Sequence, residues 1–291
     1  MTNQQQLTQA ILTTTNHSRD SAGLTYIYPV ISRRSGGLSI GVNLNTNNAC
    51  NWRCVYCQVP DLIRGSAPKT DLGLLETELR GFLDDVLTGD FYRRFSVPAE
   101  QQTIRDIAIS GNGEPTSSME FDQVIGLIGS VVADYDLLGK IKLVLITNGS
   151  LIRREHVQKG LAHWGELGGE VWFKLDSATE AGSQYANGIH HTPTSVLRNM
   201  EIAARLCPTW LQTCLFAVDS QPPSVEECET YLAFLQHIQA QPIELCGVLL
   251  YGLARPSMQA EAPSLSALPS DWMQNFALKI QAIGLETRLS L

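Results

Sequence analysis

The sequence has no long hydrophobic segment and no recognisable export signal. No apolar run approaches the roughly 18 residues that a transmembrane helix needs. The opening residues, MTNQQQLTQA, lack the basic-then-apolar order of a secretion signal. We therefore expect a cytoplasmic protein that has no membrane among its partners.

Positive charge is also scarce. The 21 Lys and Arg residues are outnumbered by 29 Asp and Glu residues, which leaves a formal net charge of −8. Such a chain repels phosphate overall, so a nucleic-acid surface would have to be local. The content of 44% hydrophobic and 17% charged residues excludes the disordered, collagen-like and coiled-coil classes. The 291 residues suffice for two ordinary domains or for one α/β barrel.

A disulfide framework is not expected, because seven cysteines are an odd number in a chain without an export signal. Such thiols serve metal binding, redox chemistry or packing in a reducing compartment. Four of them, Cys207, Cys214, Cys228 and Cys246, lie in predicted strands, on an apolar helix face or before a proline. We assign these four to packing, since free cysteine is among the most buried residue types.

Short apolar runs alternate with helix-period segments from Leu38 onward, a pattern typical of a parallel sheet built from βα units. The predicted strands are Leu38–Leu44, Thr103–Ser110, Ile141–Thr147, Glu170–Asp176, Trp210–Ala217 and Glu244–Tyr251. Apolar helix faces are predicted within residues 72–86, 121–132, 225–235 and 272–283. About six βα units are too few for a closed eight-stranded barrel. We therefore predict an α/β fold that is a partial (open) β/α barrel, with a doubly wound sheet as the alternative.

Three regions follow from this pattern. Residues 1–37 are rich in Gln, Thr and Ser, end in a two-glycine turn signal and are predicted to form an N-terminal extension. Residues 38–256 form the predicted barrel. Residues 257–291 hold a predicted C-terminal helix, ended by Gly284, and a tail that is either a last short strand or a frayed end. This C-terminal region is expected to pack on the barrel.

Polar residues follow the strands at their carboxyl ends, which is where ligands bind in α/β folds. The first strand is followed by Cys50, Cys54 and Cys57, at the spacing C-x3-C-x2-C. The later strands are followed by Gly111–Thr116, Asn148–Ser150, Lys174–Asp176, Asp219 and Arg255. We therefore expect the functional site at this edge of the sheet.

Three thiolates in one loop can converge on a small iron–sulfur cluster and leave one of its iron atoms open to a small molecule. A structural zinc site needs four protein ligands, usually as two separated pairs, and nothing near the triplet supplies the second pair. The alternative is a protein without catalytic activity, in which the triplet binds zinc or a cluster that only carries electrons.

The triplet, with Tyr56 directly before the last cysteine, resembles the motif of the radical S-adenosylmethionine (SAM) superfamily. The resemblance implies a [4Fe–4S] cluster on the three cysteines and SAM on the open iron. The segment Gly111–Pro115 (GNGEP) is similar to the glycine-glycine-glutamate-proline segment of that family, which holds the methionyl amino group of SAM. Asn112 stands where the commoner pattern has glycine, and Glu114 is expected at the amino group.

The resemblance narrows to the branch that contains the wyosine-forming tRNA enzymes and uncharacterised bacterial relatives. It covers about residues 38–256 and combines the motifs CNWRCVYC, SGNGEPT, TNGS, KLD and YGLARP. Those wyosine enzymes carry a second iron–sulfur cluster on cysteines before the first strand, and this sequence has no cysteine before Cys50. This difference counts against the same reaction.

The resemblance also implies roles for residues at the strand ends. The residues expected to contact the cofactor are Tyr56, Gly111, Asn112, Gly113, Glu114, Pro115, Asn148, Ser150 and Asp176. Lys174, Asp176 and Arg255 are expected to face the substrate as catalytic residues. Without the resemblance, the same residues are interpreted equally well in structural terms. Lys174 and Asp176 would then form a structural ion pair, Asn148–Ser150 an ordinary turn, and Arg255 would be a surface arginine.

The implied reaction is reductive cleavage of SAM to methionine and a 5′-deoxyadenosyl radical, which abstracts hydrogen from a substrate. A reduced flavodoxin or ferredoxin would donate the electron. The substrate is either an RNA base, by analogy with the wyosine branch, or a small molecule or peptide, which the acidic net charge favours.

Overall fold

The structure is a computed structural model that describes residues 22–32, 36–190 and 192–291. Its centre is an eight-stranded sheet in which the strands lie side by side in their order along the chain. The strands are β1 (Ile27–Ser32), β2 (Gly37–Val42), β3 (Ile104–Ile109), β4 (Lys142–Thr147), β5 (Glu170–Lys174), β6 (Thr209–Leu215), β7 (Leu245–Gly252) and β8 (Thr287–Ser290). β1 is antiparallel to β2, and all later neighbours are parallel.

Helices fill the connections between the parallel strands. They are α1 (Leu72–Leu87), α2 (Phe121–Asp134), α3 (Glu155–Glu166), α4 (Glu180–Asn187), α5 (Pro193–Leu206), α6 (Val225–Gln239) and α7 (Ser270–Gln281). Shorter elements are a helix at Phe91–Arg94, 3-10 turns at Ala99–Gln101, Pro115–Ser117 and Ala262–Ser264, and two-residue ladders that pair Ala49–Cys50 with Ile63–Arg64 and Ala217–Val218 with Leu265–Ser266. Because each crossover advances in one direction, the sheet curls into a half-barrel.

The sheet has one apolar face and one face that lines a cavity, because side chains alternate along each strand. On β2, Leu38 and Ile40 are fully buried in the main core, whereas Ser39 and Gly41 line the cavity on the concave side. β4 shows the same alternation. The helices therefore cover the convex face, and the concave face is available to ligands.

α1 shows how the sequence produces this packing. Asp71 caps the helix, since its side chain accepts a hydrogen bond from the backbone N–H of Leu74 at 3.0 Å. Leu75, Leu79 and Phe82 recur at helical spacing and are buried against the sheet. The periodicity of apolar residues thus determines which face of the helix turns inward.

The prediction of a partial, open barrel is confirmed, and the sheet is not doubly wound. Each predicted strand is present, with ends within two residues of the prediction. β1 was not among the predicted strands, because Pro29 lowers the strand signal of its sequence. Proline is tolerated there because β1 lies at the edge of the sheet.

The predicted regions at the two ends of the chain both contribute to the sheet. Residues 27–32 of the predicted extension form β1, and residues 287–290 of the predicted tail form β8, a strand rather than a frayed end. Residues 1–21 and 33–35 of the predicted extension lie outside the described residues. In the part of the chain that the structure describes, no helix combines the length and the apolarity needed to cross a bilayer.

Replacing Ile107 by alanine tests which face of β3 belongs to the core. Ile107 is fully buried on the apolar face, and its truncation should lower the free energy of unfolding by about 2–5 kcal/mol through lost burial and the cavity left behind. Ile63→Ala is the matched control, because Ile63 is 55% exposed and its truncation should cost less than about 0.5 kcal/mol. Urea denaturation followed by circular dichroism measures both variants, and equal losses would contradict the assignment of faces.

Candidate active site

The cysteine loop, residues 50–57, follows β2 at the carboxyl edge of the sheet. It borders the cavity on the concave face, which has a volume of about 1350 Å³. Cys50, Cys54 and Cys57 all line this cavity and are all half-buried free thiols. The three predicted metal ligands therefore face one common space.

Two of the sulfur atoms already receive hydrogen bonds. The Sγ of Cys50 accepts one from the backbone N–H of Trp52 at 3.4 Å, and the Sγ of Cys54 accepts one from Nδ2 of Asn187 at 3.3 Å. Burial raises the pKa of the Cys50 thiol to about 12 and that of the Cys54 thiol to about 11. The thiols thus lie in a partly buried pocket in which N–H groups donate hydrogen bonds to two of the sulfur atoms.

The three thiols fit the ligand set of an iron–sulfur cluster. Within residues 22–32, 36–190 and 192–291, no three His, Cys, Asp or Glu side chains converge as ligands of one metal ion. A four-iron cluster binds each cysteine at a different iron atom, and N–H groups that donate to the sulfurs tune its potential. Three thiols on one loop, two of them with such donors, fit this requirement.

The last turn of α4 anchors the cysteine loop on one side. The backbone N–H groups of Arg53 and Val55 donate to the carbonyls of Asn187 and Ala186 at 3.0 and 2.9 Å. The helix ends at Gly188, whose φ of +65° is the left-handed conformation that favours glycine. The loop therefore satisfies the carbonyl groups that a helix end leaves without partners.

The segment after β7 anchors the loop on the other side. The Oγ of Ser257 donates to the carbonyl of Val55 at 2.6 Å. Arg53 pairs with Glu261 through two hydrogen bonds of 2.7 and 3.0 Å. Arg255, which was predicted to face the substrate, lines the cavity in this segment, and its Nη1 donates to Oε1 of Gln58 at 2.9 Å.

The glycine-rich segment contacts the residues between β2 and the cysteine loop at two points that admit no side chain. A Cβ on Gly113 would lie 2.0 Å from the carbonyl oxygen of Ala49, the residue before the first cysteine. Gly111 has a φ of +144°, and a Cβ there would lie 2.3 Å from Oδ1 of Asn43. Both glycines are therefore required for the close approach of the two segments.

Asn112 occupies the position at which the commoner motif has glycine, and it joins the same contact. Its backbone N–H donates to Oδ1 of Asn43 at 3.0 Å, and its Nδ2 donates to Oδ1 of Asn48 at 2.6 Å. The side chain thus links the glycine-rich segment to the residues just before the cysteine loop.

The buried carboxylate of Glu114 links the ends of β3 and β4 through hydrogen bonds. Its Oε1 accepts hydrogen bonds from the N–H and Oγ1 of Thr116 at 3.1 and 2.6 Å and from Oγ1 of Thr147 at 2.6 Å. Its Oε2 accepts one from the N–H of Asn148 at 2.6 Å. Burial raises the pKa of Glu114, and these hydrogen bonds oppose the rise. Pro115 follows at the start of a 3-10 turn, and a role for Glu114 at the amino group of SAM stays a prediction.

Asn148 and Ser150 join the cysteine loop through Asn51. Nδ2 of Asn148 donates to Oδ1 of Asn51 at 2.8 Å, and Nδ2 of Asn51 donates to Oγ of Ser150 at 2.8 Å. Oδ1 of Asn148 in turn accepts from Oγ of Ser150 at 2.7 Å. Sequence reasoning missed Asn51, because a single asparagine between two cysteines has no spacing signature.

Lys174 and Asp176 lie together at the end of β5. Nζ of Lys174 is 3.8 Å from Oδ2 of Asp176, whose side chain has no exposed area. The same Nζ donates to the hydroxyl of Tyr251 at 3.1 Å and lies 5.0 Å from the ring centroid of Tyr56. Burial acts to lower the pKa of Lys174, but Asp176 and Tyr251 hold it well above its usual range. Lys174 is therefore a cation that lines the cavity.

Asp176 connects four segments of the chain. Its Oδ2 accepts hydrogen bonds from the hydroxyl of Tyr56 and, at 2.7 Å, from Nδ2 of Asn187, while its Oδ1 accepts the N–H of Cys214 at 2.9 Å. Burial and the charge of Asp176 raise the pKa of Tyr56 well above its usual range, so the phenol keeps its proton. Sequence reasoning missed Asn187, because an asparagine at a helix end is ordinary capping chemistry.

The four cysteines outside the loop are buried or half-buried. Cys207 lies in the main core, and Cys228 packs against that core. Cys214 packs with Tyr56 beside the cysteine loop and also lines the cavity, and Cys246 is half-buried in β7.

No protein-family model matches the chain. The GTPase Obg of Brachyspira hyodysenteriae is 27% identical over 135 residues, which cover 46% of this chain and 17% of that protein. The UPF0026 protein MJ1312 of Methanocaldococcus jannaschii is 28% identical over 152 residues, which cover 52% of this chain and 40% of that protein. The matched residues thus span less than half the length of either relative.

Solved structures match over a larger part of the chain. The structure of TYW1 with a lysine-pyruvate adduct bound has a TM-score of 0.58 at 13% identity and covers 87% of this chain and 74% of that chain. Streptococcus suis SuiB bound to the precursor peptide SuiA has a TM-score of 0.57 at 13% identity and covers 88% of this chain and 48% of that chain. Both proteins are radical SAM enzymes, and TYW1 represents the wyosine branch. The fold of this chain is the radical SAM fold.

Replacing Gly113 by alanine tests the contact between the glycine-rich segment and Ala49, the residue before the cysteine loop. The new Cβ would meet the Ala49 carbonyl at 2.0 Å, so the variant should lose about 1–3 kcal/mol of unfolding free energy through overpacking. Gly81→Ala in α1 is the matched control, because nothing lies within 4 Å of its Cβ position. That change should raise stability by about 0.5–1 kcal/mol. Thermal unfolding measures both, and two shifts of the same sign would contradict the close contact.

Replacing Asp176 by asparagine tests the buried ion pair. The change leaves the charge of Lys174 without its buried partner and should lower the free energy of unfolding by about 3–5 kcal/mol. The control is Asp134→Asn, which removes the carboxylate of an exposed ion pair with Arg80 and should leave the unfolding midpoint almost unchanged. Chemical denaturation measures both, and a small effect in both variants would show that Asp176 is dispensable for folding.

Proposed function

We propose that the chain is a radical SAM enzyme, with a [4Fe–4S] cluster on Cys50, Cys54 and Cys57 and SAM at the iron that these cysteines leave open. The bound groups supply one-electron chemistry, namely cleavage of SAM to methionine and a 5′-deoxyadenosyl radical that abstracts hydrogen from a substrate. One observation carries the proposal: in a sheet with the radical SAM fold, three cysteines of one loop line the same cavity at the carboxyl edge.

The cavity is large enough for a cofactor and a substrate together. Its volume of about 1350 Å³ exceeds the roughly 300–1,000 Å³ of a typical pocket for one small ligand. We assign contacts with SAM to Tyr56, Gly111, Asn112, Gly113, Glu114, Pro115, Asn148, Ser150 and Asp176, most of which lie on the loops around the cysteines. Lys174, Asp176 and Arg255 are assigned to the substrate side, where Lys174 supplies a fixed positive charge.

The electron donor is proposed to be a reduced flavodoxin or ferredoxin. Both are small proteins that carry one electron, and an acidic docking surface on them would be attracted to cations near the cluster. Exposed Arg64 and Lys69 follow the cysteine loop and supply such cations in a chain with a net charge of −8. We place the reaction in the cytoplasm, where the reducing conditions protect free thiols.

A small molecule or a peptide is the proposed substrate class. The net charge of −8 disfavours a long nucleic acid, and SuiB, which shares the fold, has a peptide bound in its structure. A tRNA base is the second candidate, because TYW1 of the wyosine branch has the same fold. Retention of the protein on immobilised tRNA that falls steeply with salt would favour the second candidate.

Production of 5′-deoxyadenosine from SAM tests the proposed chemistry. The full chain is reconstituted anaerobically with iron and sulfide, reduced with dithionite and supplied with SAM, and 5′-deoxyadenosine is measured by chromatography. The wild type should form the product, and Cys54→Ala should lose it because one cluster ligand is gone.

The matched control is Cys228→Ala, which removes a half-buried thiol on α6 outside the cavity and should retain both iron and activity. A wild-type protein that holds four iron atoms but forms no 5′-deoxyadenosine, with or without extracts that contain candidate substrates, would favour a protein that only carries metal or electrons.

A further inference from the structure

Asn187 contacts both a cysteine of the loop and the buried ion pair. Its Nδ2 donates to the Sγ of Cys54 at 3.3 Å and to Oδ2 of Asp176 at 2.7 Å. Only 1% of its surface is exposed. Each hydrogen of the amide group therefore has an acceptor, and the group has no freedom to turn away from the sulfur.

The backbone around Asn187 fixes this side chain in place. Its carbonyl oxygen accepts the N–H of Arg53, the residue before Cys54, at 3.0 Å. α4 then stops at Gly188, whose N–H donates to the carbonyl of Gln184 at 3.1 Å. A Cβ on Gly188 would lie 3.1 Å from the carbonyl oxygen of Arg53. These backbone contacts at the end of α4 thus hold Asn187 against the cysteine loop.

A hydrogen bond to a ligating sulfur changes the reduction potential of an iron–sulfur cluster. The reduced cluster carries one more negative charge than the oxidised cluster, so an N–H donor at the sulfur stabilises the reduced form more. Removal of the donor makes reduction harder and shifts the potential to a more negative value. In a site with little water, such a hydrogen bond is stronger than it would be in solvent.

We propose that Asn187 is a positioning residue that raises the reduction potential of the cluster on Cys54 and couples this cysteine to the Lys174–Asp176 pair. The inference rests on the proposed function, because it requires Cys54 to be a cluster ligand. Through Asp176, the same amide links the cluster to the wall of the cavity where Lys174 lies. Asn187 therefore connects the electron-accepting group to the substrate side of the site.

The test is the midpoint potential of the reconstituted cluster in the full chain, without SAM, measured by redox titration and electron paramagnetic resonance. Asn187→Leu removes the donor and keeps the number and branching of the side-chain heavy atoms, although leucine is the larger side chain, and its potential should be more negative than that of the wild type. Asn187→Asp keeps the shape and removes the N–H donor. Its carboxyl group would lie against the buried Asp176, where two carboxyl groups share one proton between them, so the sulfur loses its donor without a full added charge and the potential should again be more negative than that of the wild type. A purely structural role would not shift both potentials in this direction.

The matched control is Asn199→Leu. Asn199 is also a buried asparagine, but its Nδ2 donates to the carbonyl of Gly149 and not to a sulfur, so this variant should keep the wild-type potential. Equal potentials for the wild type and both Asn187 variants, at equal iron content, would overturn the inference and leave the proposed function intact. A wild type that fails to hold four iron atoms would overturn the proposed function itself. If Asn187→Leu does not hold iron, the difference in midpoint potential between the wild type and Asn187→Asp decides the test.

Discussion

The buried carboxylate of Asp176 is the constraint that organises the site. A charge without exposed area is tolerated only when it is paired and fully hydrogen-bonded. Its partners come from the cysteine loop through Tyr56, from α4 through Asn187, from β6 through the N–H of Cys214 and from β5 through Lys174. Satisfaction of this one group therefore requires four segments to meet at one point, and that point adjoins the cysteine loop, to which Tyr56 belongs.

The position of the cysteine loop depends on these neighbouring segments, because the loop has little regular structure of its own. Its backbone N–H and carbonyl groups bond to the end of α4 and to the segment after β7, and its asparagine at position 51 bonds to the turn after β4. A loop held from several sides presents its thiols in a fixed arrangement, which lowers the entropy that metal binding must overcome. The end of α4, the segment after β7 and the turn after β4 supply the anchors, and the loop supplies the thiols.

The fold was predictable from the sequence because a parallel sheet covered by helices leaves a strong periodic pattern, as at Leu75 and Leu79 in α1 or in the apolar run of β4. The place of the cysteine triplet at the cavity was predictable because its loop follows a strand at the carboxyl edge of the sheet. The asparagines at positions 51 and 187 were not, since one amide side chain has no spacing signature and its role depends on segments distant in sequence. The hydrogen bonds to Glu114 could not be predicted for the same reason, because Thr147 and Asn148 reach this carboxylate only after β4 has packed beside β3.

An open half-barrel has two sheet edges, and unprotected edges invite other strands to pair with them. Here one edge strand, β1, carries Pro29, and the other, β8, has only four residues. Both features discourage strand addition, so the sheet can stay open. The cavity reaches both edges, since residues of β1 and β8 line it together with the cysteine loop. Among the described residues, the cavity therefore extends across the concave face from β1 to β8 and reaches the rim at the strand ends. Under the proposed function a cofactor and a substrate share this cavity, and a sheet that stays open leaves more room for them than a closed eight-stranded barrel, whose interior is filled by side chains.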